Sequence, residues 1–155
     1  MEDFQYCIWL TSSRDYPWNG FIEGVPAHLT IASHLQTLRE AEDLYATIHE
    51  GARIRLHGGL ELSSTSKFHA LVREAACEDG PAPAWWPPNP HVSFAYAYDP
   101  DECQSVRGDI LRQLWECPEV APLTRLCLVK ATGHYKTWKI LRSGTVKPLS
   151  PGQAR

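Results

Sequence analysis

The sequence predicts an α+β domain of two similar halves, and three observations carry that prediction. The stretches PAHLTIAS at 26–33 and NPHVSFAY at 89–96 each place a proline, a histidine, one apolar residue and a hydroxyl in order, then continue into an apolar run. Each motif stands at the same distance from an earlier strand-like segment, because 24 residues separate Phe4 from His28 and Lys67 from His91. Each motif is then followed by a helix-start signal and a further strand pattern. Two such halves facing each other would bring both motifs to one cleft.

The elements follow in order. Residues 4–11 (FQYCIWLT) are aromatic and β-branched and read as a strand. Residues 12–24 hold Pro17, Asn19, Gly20 and Gly24 and read as a loop. Residues 27–33 read as a second strand. Side chains alternate faces along a strand, so His28 and Thr30 share one face, and Leu29 and Ile31 share the other. Thr37 and Glu40 form a capping-box pattern. Leu38, Ala41, Leu44, Tyr45 and Ile48 then recur at helical spacing, and Gly51 is expected to end the helix.

In the second half, residues 53–62 (RIRLHGGLEL) read as a strand whose glycine pair suggests a bulge, and 67–74 as another strand. Residues 77–89 carry four of the twelve prolines and cannot be regular structure. Residues 91–97 read as a strand with His91, Ser93 and Ala95 on one face. Asp99 and Pro100, followed by two acids, are a strong helix start. A single helix to Trp115 is expected to bury Cys103, Val106, Ile110, Leu111 and Leu114. Residues 123–132 and 136–142 read as a closing hairpin around Gly133, His134 and Tyr135. The domain is expected over 1–143, with 144–155 as a flexible tail.

Bulk properties narrow the function classes. A chain of 155 residues suits one domain, and 43% hydrophobic with 21% charged residues is ordinary for a globular one. A net charge of −3 argues against a nucleic-acid duplex as partner, although a small phosphate ligand needs only local donors. No apolar run is long enough for a membrane span, and the acidic, aromatic N-terminus does not read as a secretory signal. A cytoplasmic monomer is expected. The five cysteines contain no C-x-x-C pair and read as buried thiols.

The paired motifs suit phosphodiester chemistry. Opening a cyclic phosphate with water requires a base for the water proton and an acid for the departing sugar oxygen, and histidine can do either near neutral pH. Thr30 and Ser93, each two residues after its histidine on the same strand face, can donate to the phosphate oxygens as charge builds there. The scheme calls for no cofactor and no metal.

This arrangement resembles the 2H phosphoesterase superfamily, and HLTIAS and PHVSFAY are most similar to its 2′,3′-cyclic nucleotide phosphodiesterase branch. The resemblance spans roughly residues 4–141. It implies a two-lobed fold, with two pseudo-symmetric antiparallel sheets, outer helices and a central cleft, and His28, Thr30, His91 and Ser93 as the catalytic residues. It further implies His91 as general base and His28 as general acid. The substrate would be a nucleoside 2′,3′-cyclic phosphate or ADP-ribose 1″,2″-cyclic phosphate, and the product a 2′-phosphate or ADP-ribose 1″-phosphate. A 2′–5′ phosphodiesterase acting on oligoadenylate or a cyclic dinucleotide is the alternative on the same chemistry. A non-catalytic RNA-binding module is the alternative of another class. Tyr135 and Trp138 at the last turn, and Trp86 beside Trp85 in the loop before the second motif, are candidates to stack on a base. Lys136 is a candidate for the phosphate.

Overall fold

The computed structural model describes residues 5–12, 26–64, 69–78, 80–97, 99–116, 120–133 and 135–148. Most of the loop expected over 12–24, and His134, lie outside them. The described chain is an α+β fold on an antiparallel sheet. Its elements are β1 (Gln5–Thr11), β2 (His28–Leu35), α1 (Leu38–Ala46), β3 (Glu50–Ser64), β4 (His69–Cys77), β5 (His91–Ala97), α2 (Pro100–Ser105), α3 (Arg107–Glu116), β6 (Val120–Leu123), β7 (Arg125–Ala131), a 3-10 turn (Tyr135–Thr137), β8 (Lys139–Thr145) and β9 (Lys147–Pro148). The strands run in the order β6-β3-β4-β5-β2-β1-β7-β8, with β9 beside β3. The expected pair of sheets is therefore one continuous path. Its middle joint, β2 to β5, consists of two paired positions, His28↔Ser93 and Leu29↔Val92.

The ladders on either side of that joint have the same register. In β1–β2 the partners are Ile8↔Ala32, Trp9↔Thr30, Leu10↔Leu29 and Thr11↔His28. In β4–β5 they are Leu71↔Ala95, Val72↔Ser93, Arg73↔Val92 and Glu74↔His91. Each residue of the second set follows its counterpart in the first by 63 positions. Both ladders also slip at the same place, leaving Ile31 and Phe94 as the extra residues of a β-bulge.

The bulge changes which side chains share a face. Past Phe94 the alternation is reset, so Ala95 joins Val92, Phe94 and Ala97 in the main core, and Tyr96 comes to the side of His91 and Ser93. The simple alternation had put Ala95 with the histidine. The main core lies on the helix-covered face, where Ile8, Leu10 and Leu29 meet Ala41 of α1, Cys103 of α2 and Ile110 of α3. A smaller cluster on the other face holds Cys7, Trp9, Cys127, Val129, Tyr135 and Trp138.

Both helix starts are capped as the sequence indicates: Thr37 accepts from the Glu40 amide, and Asp99 from the Asp101 amide. Their ends differ. Helix α1 stops at Ala46, where Thr47 turns its amide and hydroxyl onto the Leu44 carbonyl. Gly51 instead belongs to β3, where a Cβ would run into the Leu123 carbonyl oxygen of the neighbouring strand. The second helix breaks at Val106. The Ser105 hydroxyl bonds the Glu102 carbonyl at 2.6 Å, and the Val106 amide turns to Gln104. Cys103 and Ile110 remain buried, whereas Leu111 is 46% exposed, contrary to the continuous stripe expected, and Trp115 at the helix end is 90% exposed.

The glycine pair does mark an irregularity, since the β3–β4 register shifts between His57 and Glu61. Residues 123–132 are split at Thr124, whose amide bonds Thr11 and whose carbonyl accepts from Val146. Strand β8 continues to Thr145, and Lys147 and Pro148 pair in parallel with Glu50 and Gly51, so residues 144–148 are part of the sheet and not a free tail. Residues 149–155 lie outside the described residues. No helix among the described residues is long and apolar enough to cross a membrane.

The Gly51 contact makes a direct prediction. Gly51→Ala should destabilise the protein by about 1–3 kcal/mol through overpacking, read from urea unfolding. Gly59→Ala, where nothing lies within 4 Å of the added carbon, should stay within about 0.5 kcal/mol of the parent.

Candidate functional site

The β2–β5 joint sets the two motifs side by side in opposite directions, with His28 facing Ser93 across the pair. Each histidine is held by the same local device. The ring Nδ1 of His28 lies 2.7 Å from the Pro26 carbonyl oxygen, and that of His91 lies 2.9 Å from the Asn89 carbonyl oxygen. A carbonyl can only accept, so Nδ1–H donates in both rings. In its neutral form each ring then carries its lone pair on Nε2.

The two Nε2 atoms have different neighbours. His28 is 1% exposed. Trp9 lies flat against it at 3.8 Å and 12°, and Tyr96 stacks on it at 5.8 Å and 17°. The Tyr96 hydroxyl reaches His28 Nε2 at 2.8 Å, and with the lone pair on nitrogen it is the tyrosine that donates. Burial pushes the His28 pKa down to about 4, although its bond to Pro26 opposes the shift and the neighbouring His91 reinforces it. Burial likewise raises the Tyr96 hydroxyl, against a hydrogen bond with the Ser93 side chain. The result is a chain of polar groups from the Pro26 carbonyl through His28 and Tyr96 to Ser93.

Above this chain lies a cavity of about 240 Å³ open to solvent. Thr30, His91 and Ser93 line it together. Most of the other lining residues fall into counterparts 63 positions apart: Cys7 with Ala70, Trp9 with Val72, and Ser33 with Tyr96. Trp138 and Ser63 complete the walls. Burial lifts the Cys7 thiol to about 12, so it presents a neutral SH to the cavity.

The structure therefore brings three of the four motif residues to one surface. The fourth, His28, lies beneath that surface and is reached through Tyr96. Among the aromatic candidates, Trp138 lines the cavity. Tyr135 stands behind it, stacked on Tyr96 at 6.2 Å. Trp86 is not at the cavity: with Trp85 it packs on the main core, where the Trp85 indole N–H donates to the Glu50 carbonyl and fastens the proline-rich loop. Both tryptophans are half-buried there. Lys136 lies in the 3-10 turn, and its side chain is outside the described residues. Sequence reasoning missed Tyr96, Trp9, Ser33 and Cys7. The available signal was the separation of 63 itself, applied to every position around the two histidines instead of to the histidines alone.

No protein-family model matches the chain, and no curated protein matches it significantly.

The depressed His28 pKa ties stability to pH. The folded ring stays neutral down to about 4, while the unfolded ring titrates at its ordinary 6.5. Between those values the unfolded chain binds more protons, so this contribution is present above 6.5 and is lost as pH falls toward 4. Urea unfolding should show His28 contributing roughly 2 kcal/mol less at pH 5 than at pH 7. His28→Gln should remove that component of the pH dependence.

Proposed function

We propose that this chain is a 2H-phosphoesterase-type enzyme that hydrolyses a ribose cyclic phosphate without a metal, by proton transfer at two imidazoles. A nucleoside 2′,3′-cyclic phosphate or ADP-ribose 1″,2″-cyclic phosphate is the substrate, and the 2′-phosphate or ADP-ribose 1″-phosphate is the product. The observation that carries this reading is the repeated register, which sets two His-x-hydroxyl strands antiparallel with both Nδ1 atoms held alike. The strand order supports a two-lobed reading as well, because β5-β4-β3-β6 on one side of the joint answers β2-β1-β7-β8 on the other.

In the reaction, a water oxygen attacks phosphorus and the ring P–O3′ bond breaks, or P–O2″ in the ADP-ribose substrate. The water proton leaves to a base, and the departing ribose oxygen receives one from an acid. His28, neutral through burial, is the base. It accepts the Tyr96 proton at Nε2 as Tyr96 takes the proton of the water. His91, at the open surface, is the acid and donates from Nε2. This reverses the division of roles that the resemblance implies, and the reason is desolvation: a buried imidazole resists the positive charge an acid must start with. Thr30 donates to the non-bridging oxygens, and Ser93 does so once its hydroxyl turns from Tyr96 to the substrate. The cavity volume, below the usual range for drug-sized ligands, favours one sugar phosphate over the two nucleotides of a 2′–5′ linkage.

The test is turnover of 2′,3′-cyclic nucleotides and ADP-ribose cyclic phosphate in excess EDTA, with products resolved by HPLC. His91→Ala should lower kcat by about 10²–10⁴-fold, and Tyr96→Phe by about tenfold or more, with both variants folded by circular dichroism. Activity should persist to pH 5, where an ordinary imidazole base is mostly protonated. Tight binding of an RNA oligonucleotide with no turnover of any of these substrates would overturn the enzymatic reading in favour of a binding module.

A further inference from the structure

Strand β3 is paired on both sides for only part of its length. Its outer side meets β9 at Glu50 and Gly51, and β6 from Ala52 to Arg55. Its inner side continues with β4 as far as Ser64. Among the described residues, no strand pairs with the outer side of 56–64. Backbone N–H and C=O groups along an unpaired edge are a template for another strand. The sheet's other edge, β8, carries Lys139 and Arg142, charges that discourage such pairing. Residues 56–64 (LHGGLELSS) contain no lysine, arginine or proline. The glycine bulge takes up 58–59, where the Gly58 carbonyl accepts from Arg73 Nε at 2.9 Å, and the regular ladder resumes from Glu61 to Ser64.

The two faces of this edge differ in chemistry. Leu56, Leu60 and Leu62 face the helices, in the main core or packed on it. On that side Gly59 and Leu60 line a groove of about 200 Å³ with Leu111, Leu114 and Trp115 of α3. The exposed Leu111 and Trp115 are thus two of its walls, and a Cβ added at Gly59 would meet nothing within 4 Å. The other face is acidic. Glu61 is exposed there, and Glu74 keeps 64% of its side chain exposed beside His57. Side chains alternate faces along a strand. A strand laid on this edge with apolar residues at alternate positions, and basic residues between them, sets the first over the groove and the second beside Glu61. One occupant then satisfies the backbone edge, the apolar groove and the acidic face together.

We propose that the outer edge of β3 at residues 60–64 receives an extended segment of a partner protein as an added strand, with an apolar side chain against Leu111 and Trp115 and a basic side chain at Glu61. This surface stands on its own observations and does not rest on the cyclic-phosphate reading. It gives a reason for a large apolar ring left 90% exposed at the end of α3, beside backbone that lacks a neighbouring strand.

The test is fluorescence anisotropy of a fluorescein-labelled peptide, TKVKVKVT, titrated with the full chain. Wild type should bind it saturably, and tryptophan emission should shift to the blue as Trp115 is covered. Trp115→Ala should weaken binding about tenfold or more, and Trp115→Phe should still bind but lose the emission shift. Glu61→Lys should weaken binding by about threefold or more and make TEVEVEVT the better ligand. An added strand turns alternate N–H groups toward β3 and the others to solvent. N-methylation of one alternate set, the valines or the lysines, should therefore weaken binding by about tenfold or more. N-methylation of the other set should leave it near that of the parent peptide. Absence of saturable binding, equal binding of the two N-methylated peptides, or a Trp115→Ala affinity equal to wild type would overturn the proposal. A dimer of the chain alone in sedimentation, dissociated by Glu61→Lys or Trp115→Ala, would overturn it in favour of a second copy on this edge.

Discussion

The rest of the site depends on a short antiparallel joint, two paired positions between β2 and β5 with His28 opposite Ser93. The pairing is brief, and its brevity is what matters. A longer ladder would zip the two strands along their length and leave no gap above them. Two positions fix the histidines relative to each other, and the divergence beyond leaves room for a cavity. The sheet order then places a further ladder on each side of the joint, so that the walls are built from strands whose other face is already committed to the core.

The repeated bulge is the second constraint. In a strand without one, side chains keep strict alternation, and a residue five positions past His91 would face the core. The extra residue at Phe94 turns Tyr96 to the cavity side, where its hydroxyl meets His28. The matching slip at Ile31 is followed in the same way by Ser33. One geometric device, used twice, therefore brings Tyr96 to His28 and Ser33 to the cavity that His91 lines. Burial of His28 follows from Trp9 and Tyr96 together, and its low pKa follows from burial. The chemical inequality of two locally identical imidazoles originates in two positions, where Val72 and Ser33 stand as the counterparts of the two rings.

This inequality also bears on acid–base work in general. Two histidines in the same local hydrogen-bond setting, with equal exposure, would share similar protonation and compete for the same role. Desolvation of one separates them without introducing a charged neighbour. The carbonyl acceptors at Pro26 and Asn89 settle the tautomers, and the difference in burial settles the charge of His28.

The sequence by itself determined the local elements and the motif faces. Apolar alternation marked most of the strands, Thr37 and Asp99 marked the helix starts, and the i, i+2 spacing placed each hydroxyl beside its histidine, because these signals depend on neighbours along the chain. It also held the repeat, visible as an equal separation in both halves. It did not reveal the break at Val106, the pairing of Lys147 and Pro148 with β3, the packing of a half-buried Trp86 against the core, or the arrival of Tyr96 beside His28. Those outcomes were decided by tertiary structure. A bulge is defined by what lies on the adjacent strand, an edge by which segment reaches it, and burial of a ring by the surface it finds. His28 and His91 read alike in the sequence because their immediate neighbours are alike. They differ in the folded chain because desolvation is set by residues brought from the other half.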